Sequence, residues 1–180
     1  MAAHLILLKF DDTYGAQQAM GAVAALQEMR YAWFEDVAIV QRHHSGRVGV
    51  HTTTGSVGEG ALVGWLTGGL IGLLFGPVGF LTGIVLGAGA GALIGDAAKR
   101  TGIPKEQLEA IKDELGKGTS MLVLVGSDVD GEQFTHAFAR YEPSKVISFA
   151  LPDATVDSIR TAIESEPAVR PVVHEPTGGD

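Results

Sequence analysis

The chain has no cysteine. That absence excludes disulfides, thiolate nucleophiles, and zinc or iron–sulfur centres held by thiolates. It also lacks any cationic excess: the formal net charge is −8, with acidic residues in surplus on both sides of a central uncharged stretch. This disfavours nucleic acid as a partner and a polybasic grip on anionic lipid. Several motifs of known chemistry are missing as well. There is no Gly-x-Ser-x-Gly and no His-Glu-x-x-His. Gly55-Ser56-Val57-Gly58-Glu59-Gly60 lacks the Gly-Lys-Ser/Thr ending and the βαβ setting that a phosphate loop or dinucleotide fingerprint requires.

The most informative lack is of charge between Glu59 and Asp96, where Thr67 and Thr82 are the only hydroxyls. What fills that stretch is a double glycine zipper. Gly60, Gly64, Gly68, Gly72 and Gly76 recur every fourth residue, and Gly79, Gly83, Gly87, Gly91 and Gly95 do so again. Spacing of four lays small residues along one ridge of a helix, where another backbone can approach closely. The runs are symmetric about Pro77–Val78, so an antiparallel hairpin sets Gly60 opposite Gly95, Gly64 opposite Gly91, Gly68 opposite Gly87 and Gly72 opposite Gly83. An interior glycine costs a helix about 1 kcal/mol relative to alanine. Ten of them cost on the order of 10 kcal/mol, comparable to the stability of a whole domain. Close packing or an apolar solvent must offset that cost. A flexible linker is a poor alternative, because linkers use serine and polar residues, whereas Leu, Ile, Val and Phe occupy the gaps here.

Length leaves two settings open. An arm of about 17 residues reaches roughly 25 Å, against about 30 Å of bilayer hydrocarbon. The tip, Phe75-Gly76-Pro77-Val78-Gly79-Phe80, has no polar side chain. A hairpin emerging into water would carry polar turn residues there, so the tip ends in a bilayer or at the centre of an oligomer. Trp65 reads either as an interfacial anchor or as a buried oligomer contact. Lys99 and Arg100 follow the second arm, which places both flanks on the cytoplasmic side if the hairpin is inserted. The segment lies too far from Met1 to act as a signal peptide.

The flanks read as one domain split by this insertion. Residues 1–57 form the first half of an α+β head, 58–100 the helical hairpin, 101–166 the second half, and 167–180, rich in Pro and Gly, a flexible tail. Apolar runs predict strands at 4–10, 36–42, 48–51, 121–125 and 146–150. Amphipathic spacing predicts helices from about Thr13 to Arg30, over 104–115 with Pro104 in the first turn, and from a capping box formed by Asp130 and Gln133. Asp153 is expected to cap a closing helix that carries Val156, Ile159 and Ile163. Strand–helix–strand occurs twice, at 5–42 and 121–150. Two such units predict a ferredoxin-like split βαβ sandwich: an antiparallel sheet covered on one face by two helices.

Phe10-Asp11, the run Asp36-Val37-Ala38-Ile39-Val40, the paired zipper around Gly76-Pro77, Gly102-Ile103-Pro104 and Gly118-Thr119-Ser120-Met121-Leu122 together resemble the DUF1269 family over about residues 4–165. The resemblance implies a bacterial protein of a group often labelled as membrane proteins. It carries no catalytic residues to transfer.

Candidate chemistry elsewhere is sparse. His43, His44 and His51 surround one hairpin near Glu35 and Asp36, but His43 and His44 are expected to face opposite ways and so read as turn residues, not as a metal set. Asp11 and Asp12 read as helix capping before a cation site. Phe134, Phe138 and Tyr141, at helical spacing, read as core. No catalytic, cofactor-binding or metal residue is assigned. The functional expectation is a non-enzymatic homo-oligomer whose partners are itself and a membrane lipid phase. The alternative is a soluble cytoplasmic assembly with an apolar interior holding a lipid-like or quinone-like ligand. Both require more than one copy, because a lone hairpin exposes its Leu/Ile/Val sides, a patch beyond the few hundred Å² that a soluble monomer tolerates. Light scattering at neutral pH without detergent is expected to give a mass well above the 18.8 kDa of one chain; a single-chain mass would sink the reading.

Overall fold

The computed structural model describes residues 3–52, 55–56, 98–99 and 102–157. These form one six-stranded sheet with helices on both faces. The elements in chain order are β1 (His4–Phe10), α1 (Gly15–Gln18), α2 (Met20–Glu28), β2 (Trp33–Arg42), β3 (Val48–Thr52), β4 (Gly55–Ser56), α3 (Lys105–Glu114), β5 (Thr119–Ser127), α4 (Gly131–Ala139) and β6 (Lys145–Ala150). The strand order is β4-β3-β2-β5-β1-β6, and every neighbouring pair is antiparallel. One row across the sheet runs Ile147–Leu7–Val123–Ala38–Thr52, and the next runs Val146–Leu8–Leu122–Ile39–His51.

β1 and β5 are buried at nearly every position because each lies between two strands and under cover on both faces. Leu5 and Leu7 of β1 and Val123 and Val125 of β5 enter one core, with Ala38 and Val40 of β2. Ile6, Leu8 and Phe10, with Leu122 and Leu124, enter the other. α1, α2 and α4 cover this second core through Ala16, Val23, Leu26, Phe134 and Phe138. The first core is closed by Leu108, Ile111 and Leu115, on or just after α3, with Ile103, Leu151 and Val156. The one-sided sandwich predicted by pattern is therefore corrected to a sheet covered on both faces, for strands without a polar face leave neither side to water.

Three local departures have physical causes. First, the helix predicted over Thr13–Arg30 is two helices broken at Ala19, whose carbonyl accepts from the Ala22 amide three residues on. The short first piece is pulled onto the sheet: Gly15 sits where a Cβ would lie 2.5 Å from Phe10 Cβ, and the Ala16 amide donates to the buried Ser120 hydroxyl, which donates to the Asp12 carbonyl. Second, β2 begins at Trp33, with its register shifted between Phe34 and Asp36. The bulge re-aims Phe34 over Gly126, where a Cβ would fall 2.8 Å from the ring. Third, Asp153 is not the cap of the closing helix. The carbonyl of Pro152 accepts from the amides of Thr155 and Val156, so Asp153 is already helical; Ile159 and Ile163 lie outside the described residues.

The Asp130 cap is as predicted on one side: its carboxylate accepts from the amides of Glu132 and Gln133 at 3.0 Å each. The other arm of the box is replaced by the Asp130 amide donating to Tyr31 O at 2.8 Å, which ties the start of α4 to the chain just after α2.

Because β5 pairs with β1 on one side and β2 on the other, the two halves of the head share one sheet. Replacing 58–97 by a short Gly/Ser linker, and so keeping Ala98 on its core, is expected to leave the α+β circular dichroism signature and cooperative unfolding intact. Shortening a connection lowers its closure entropy cost. Loss of cooperative unfolding would show that the head depends on the replaced segment.

Candidate functional site

The residues predicted to carry assembly, Gly60, Gly64, Gly68, Gly72, Gly76, Gly79, Gly83, Gly87, Gly91, Gly95 and Trp65, lie outside the described residues. The remaining candidates fall on the head. Five of its features bear on chemistry.

The β2–β3 turn is closed by the His43 amide donating to Arg47 O and the Gly46 amide to His43 O, with Gly46 at φ 89. His43 and His44 go separate ways from it. His44 lies against Gly118, where a Cβ would sit 2.3 Å from its ring and where φ is +77. The Gly118 amide donates to Arg42 O at 2.7 Å, and Arg42 Nη1 donates to Leu115 O at 3.0 Å. This latches the turn to the end of α3, a cation at a helix C-terminus. His43 instead leans with His51 toward Gly49: their Nε2 atoms lie 4.0 and 3.9 Å from the point where its Cβ would be. Among the described residues, no three His, Asp or Glu side chains are placed to hold a metal ion together.

The acidic pair after β1 is engaged locally. Asp12 Oδ1 accepts from the Tyr14 amide at 2.8 Å and turns the chain into α1, while Asp11 accepts from the Ser144 hydroxyl at 3.0 Å. The rings of Phe134 and Phe138 pack tilted at 47°, with centroids 4.6 Å apart, inside the second core, with Tyr141 half-buried beside them.

Sequence reasoning missed two features. The first is a charge clamp. Lys9 and Lys145 are cross-strand partners on β1 and β6, like charges that repel when directly opposite. Glu114, the last residue of α3, bonds both: Oε1 to Lys145, and Oε2 to Lys9 at 3.4 Å. The hydrogen bond from Lys145 is the main cause holding the Glu114 carboxyl below its ordinary pKa, with the charges of both lysines adding to it and partial burial opposing them. The second is a groove of about 220 Å³ between α2 and α4, walled by Ala22, Ala25, Leu26, His136, Ala137 and Arg140. Alanines on facing helices leave space that no single-helix pattern reveals.

A family model described as "Protein of unknown function (DUF1269)" matches residues 61–164. The chain belongs to this family. No curated protein and no solved structure matches it. The DUF1269 match takes in the uncharged segment, α3, β5, α4 and β6, while β1 and β2, which flank β5 in the sheet, precede it. In this DUF1269 chain the family-defining part therefore reaches only part of its own sheet.

Glu114 gives a pH-dependent expectation. A carboxyl held low in the folded state adds stability above its unfolded value near 4.5, and that contribution disappears as pH falls through the folded value. Glu114→Gln is expected to lower the urea midpoint at pH 7 by the equivalent of no more than about 1 kcal/mol, the range for solvent-open ion pairs. The difference from wild type should shrink as pH falls below 4.5 and vanish once the pH lies below the lowered folded value. A difference that stays constant as the solution is acidified would assign the effect to packing.

Proposed function

We propose that this DUF1269 protein is a non-enzymatic homo-oligomer assembled through a glycine-zipper hairpin over 58–100, associated with a bacterial membrane and carrying a cytoplasmic head of ferredoxin-like, split βαβ form. The observation that carries the reading is the position of β5. A strand made after the uncharged segment lies between two strands made before it, so the segment leaves and re-enters a single folded unit. Both described cores are built from residues 3–50 and 103–156. The order β2-β5-β1-β6, with α1 and α2 joining β1 to β2 and α4 joining β5 to β6, supports the split βαβ form; β3 and β4 extend one edge, and α3 adds the second layer.

The non-enzymatic reading is supported by what the polar groups do. Asp12 and Asp130 serve turns and caps, Glu114 clamps two lysines, and His44 packs on a glycine. Assembly is supported by the ten-glycine ridge, whose helix cost must be recovered by close packing. Gly68→Leu or Gly87→Leu is expected to collapse the assembly to smaller species on light scattering while the head stays folded, because a large side chain separates backbones that must touch. Alanine at either position should be milder. Unchanged mass for both leucine variants would remove the ridge as an interface. Carbonate-washed membranes should retain the wild-type chain; release into detergent-free particles would instead favour the soluble assembly with an apolar interior.

A further inference from the structure

We propose that the groove between α2 and α4 binds a small amphipathic anion: a flat apolar body about 10 Å long bearing one carboxylate. α2 and α4 run antiparallel. Tyr31, just beyond the end of α2, accepts from Asp130 at the start of α4, and Gly21 near the start of α2 lies close enough that its Cβ would be 3.5 Å from the hydroxyl of Tyr141, just beyond α4. The groove therefore has two distinct ends. At one end are Met29 and Tyr31, 64% and 37% exposed, with Trp33, 65% exposed, two residues on. Three of the five exposed large hydrophobic residues among those described fall in residues 29–33. At the other end stands Arg140, with His136 one turn before it on the same wall. The distance along α2 from Ala22 to Met29 is about 10 Å at 1.5 Å per residue, which sets the length of the ligand.

Charge selects its sign. The chain carries a net −8, yet among the described residues no carboxylate lines the groove, and the guanidinium of Arg140 does, with the His136 ring on the same wall. The Arg140 guanidinium is held in place: its carbon lies 4.7 Å from the centroid of the Tyr141 ring, and Nη2 donates to the Tyr141 hydroxyl. A planar guanidinium fixed in this way keeps further N–H groups in a fork that fits a carboxylate. The alanines at 22, 25 and 137 make room for a ring, and Met29 offers a polarizable contact to its edge.

Full-length protein titrated calorimetrically with naphthalene-2-carboxylate is expected to bind one molecule per chain with a dissociation constant on the order of 0.1–1 mM, set by its few heavy atoms. Its neutral isostere, 2-naphthamide, should bind about tenfold more weakly. Arg140→Gln should bring the carboxylate down to the level of the amide and leave the amide unchanged. Ala25→Leu, which fills the groove from a half-buried helical position, should abolish both, with Ala137→Leu as the second filling variant should the first fail to unfold cooperatively. No binding by wild type, equal binding by wild type and the filled variants, or an Arg140→Gln effect equal on both probes would each overturn the proposal. So would absent binding together with a change of mass in Ala25→Leu, which would assign the groove to a contact between copies.

Discussion

The structure depends on the desolvation of β5 between its two ends. Its backbone is paired on both edges, to β1 and β2, and Met121, Leu122, Val123, Leu124 and Val125 are all at most 2% exposed. A strand with no wet edge and no wet face is stable only if every other element closes around it. β1 and β2 supply the hydrogen bonds, α1, α2 and α4 the cover on one side, and α3 with residues 151–156 the cover on the other. A buried Leu, Ile or Val contributes about 1.5–3 kcal/mol, whereas an exposed ion pair contributes about 1 kcal/mol or less. The two cores hold the head together. Its charges adjust it.

Polar groups in this head mostly solve problems that the sheet creates. The Ser120 hydroxyl, fully buried, takes up the Ala16 amide and the Asp12 carbonyl where β1 hands over to α1. Gln41, 3% exposed, reaches Gln17 of α1. Glu114 relieves the two lysines that the β1–β6 register sets side by side. These contacts join residues that are remote in sequence, so each one also fixes which segments are neighbours.

That remoteness explains what was legible in the sequence. The apolar run Leu5–Leu8 of β1, the β2–β3 hairpin around Gly46, the amphipathic spacing of α3 and the Asp130 cap are local patterns, and they were readable as such. The cover on the second face, the break at Ala19, the bulge that starts β2 at Trp33, the Glu114 clamp and the α2–α4 groove arise between segments. The break follows from Gly15 and Ala16 being drawn against Phe10 and Ser120. The bulge follows from a glycine, Gly126, on the neighbouring strand. Neither partner is visible from the helix or the strand alone. Both faces of β1 and β5 being apolar was the one local hint that two layers of cover were needed.

The place of β5 also imposes an order of events during synthesis. Its register with β1 joins residues over a hundred positions apart, so β1, α1, α2 and β2 are made well before the strand that completes their sheet. The uncharged segment 60–95 lies in that interval. At about 5–20 residues per second, the roughly 30 residues from Asp96 to Ser127 take about 2–6 s to emerge. Throughout that time the ribosome presents a long apolar stretch together with a half-sheet lacking its centre. The segment is therefore complete before the strand that finishes the sheet exists, and the sheet closes across an interruption that has already been made.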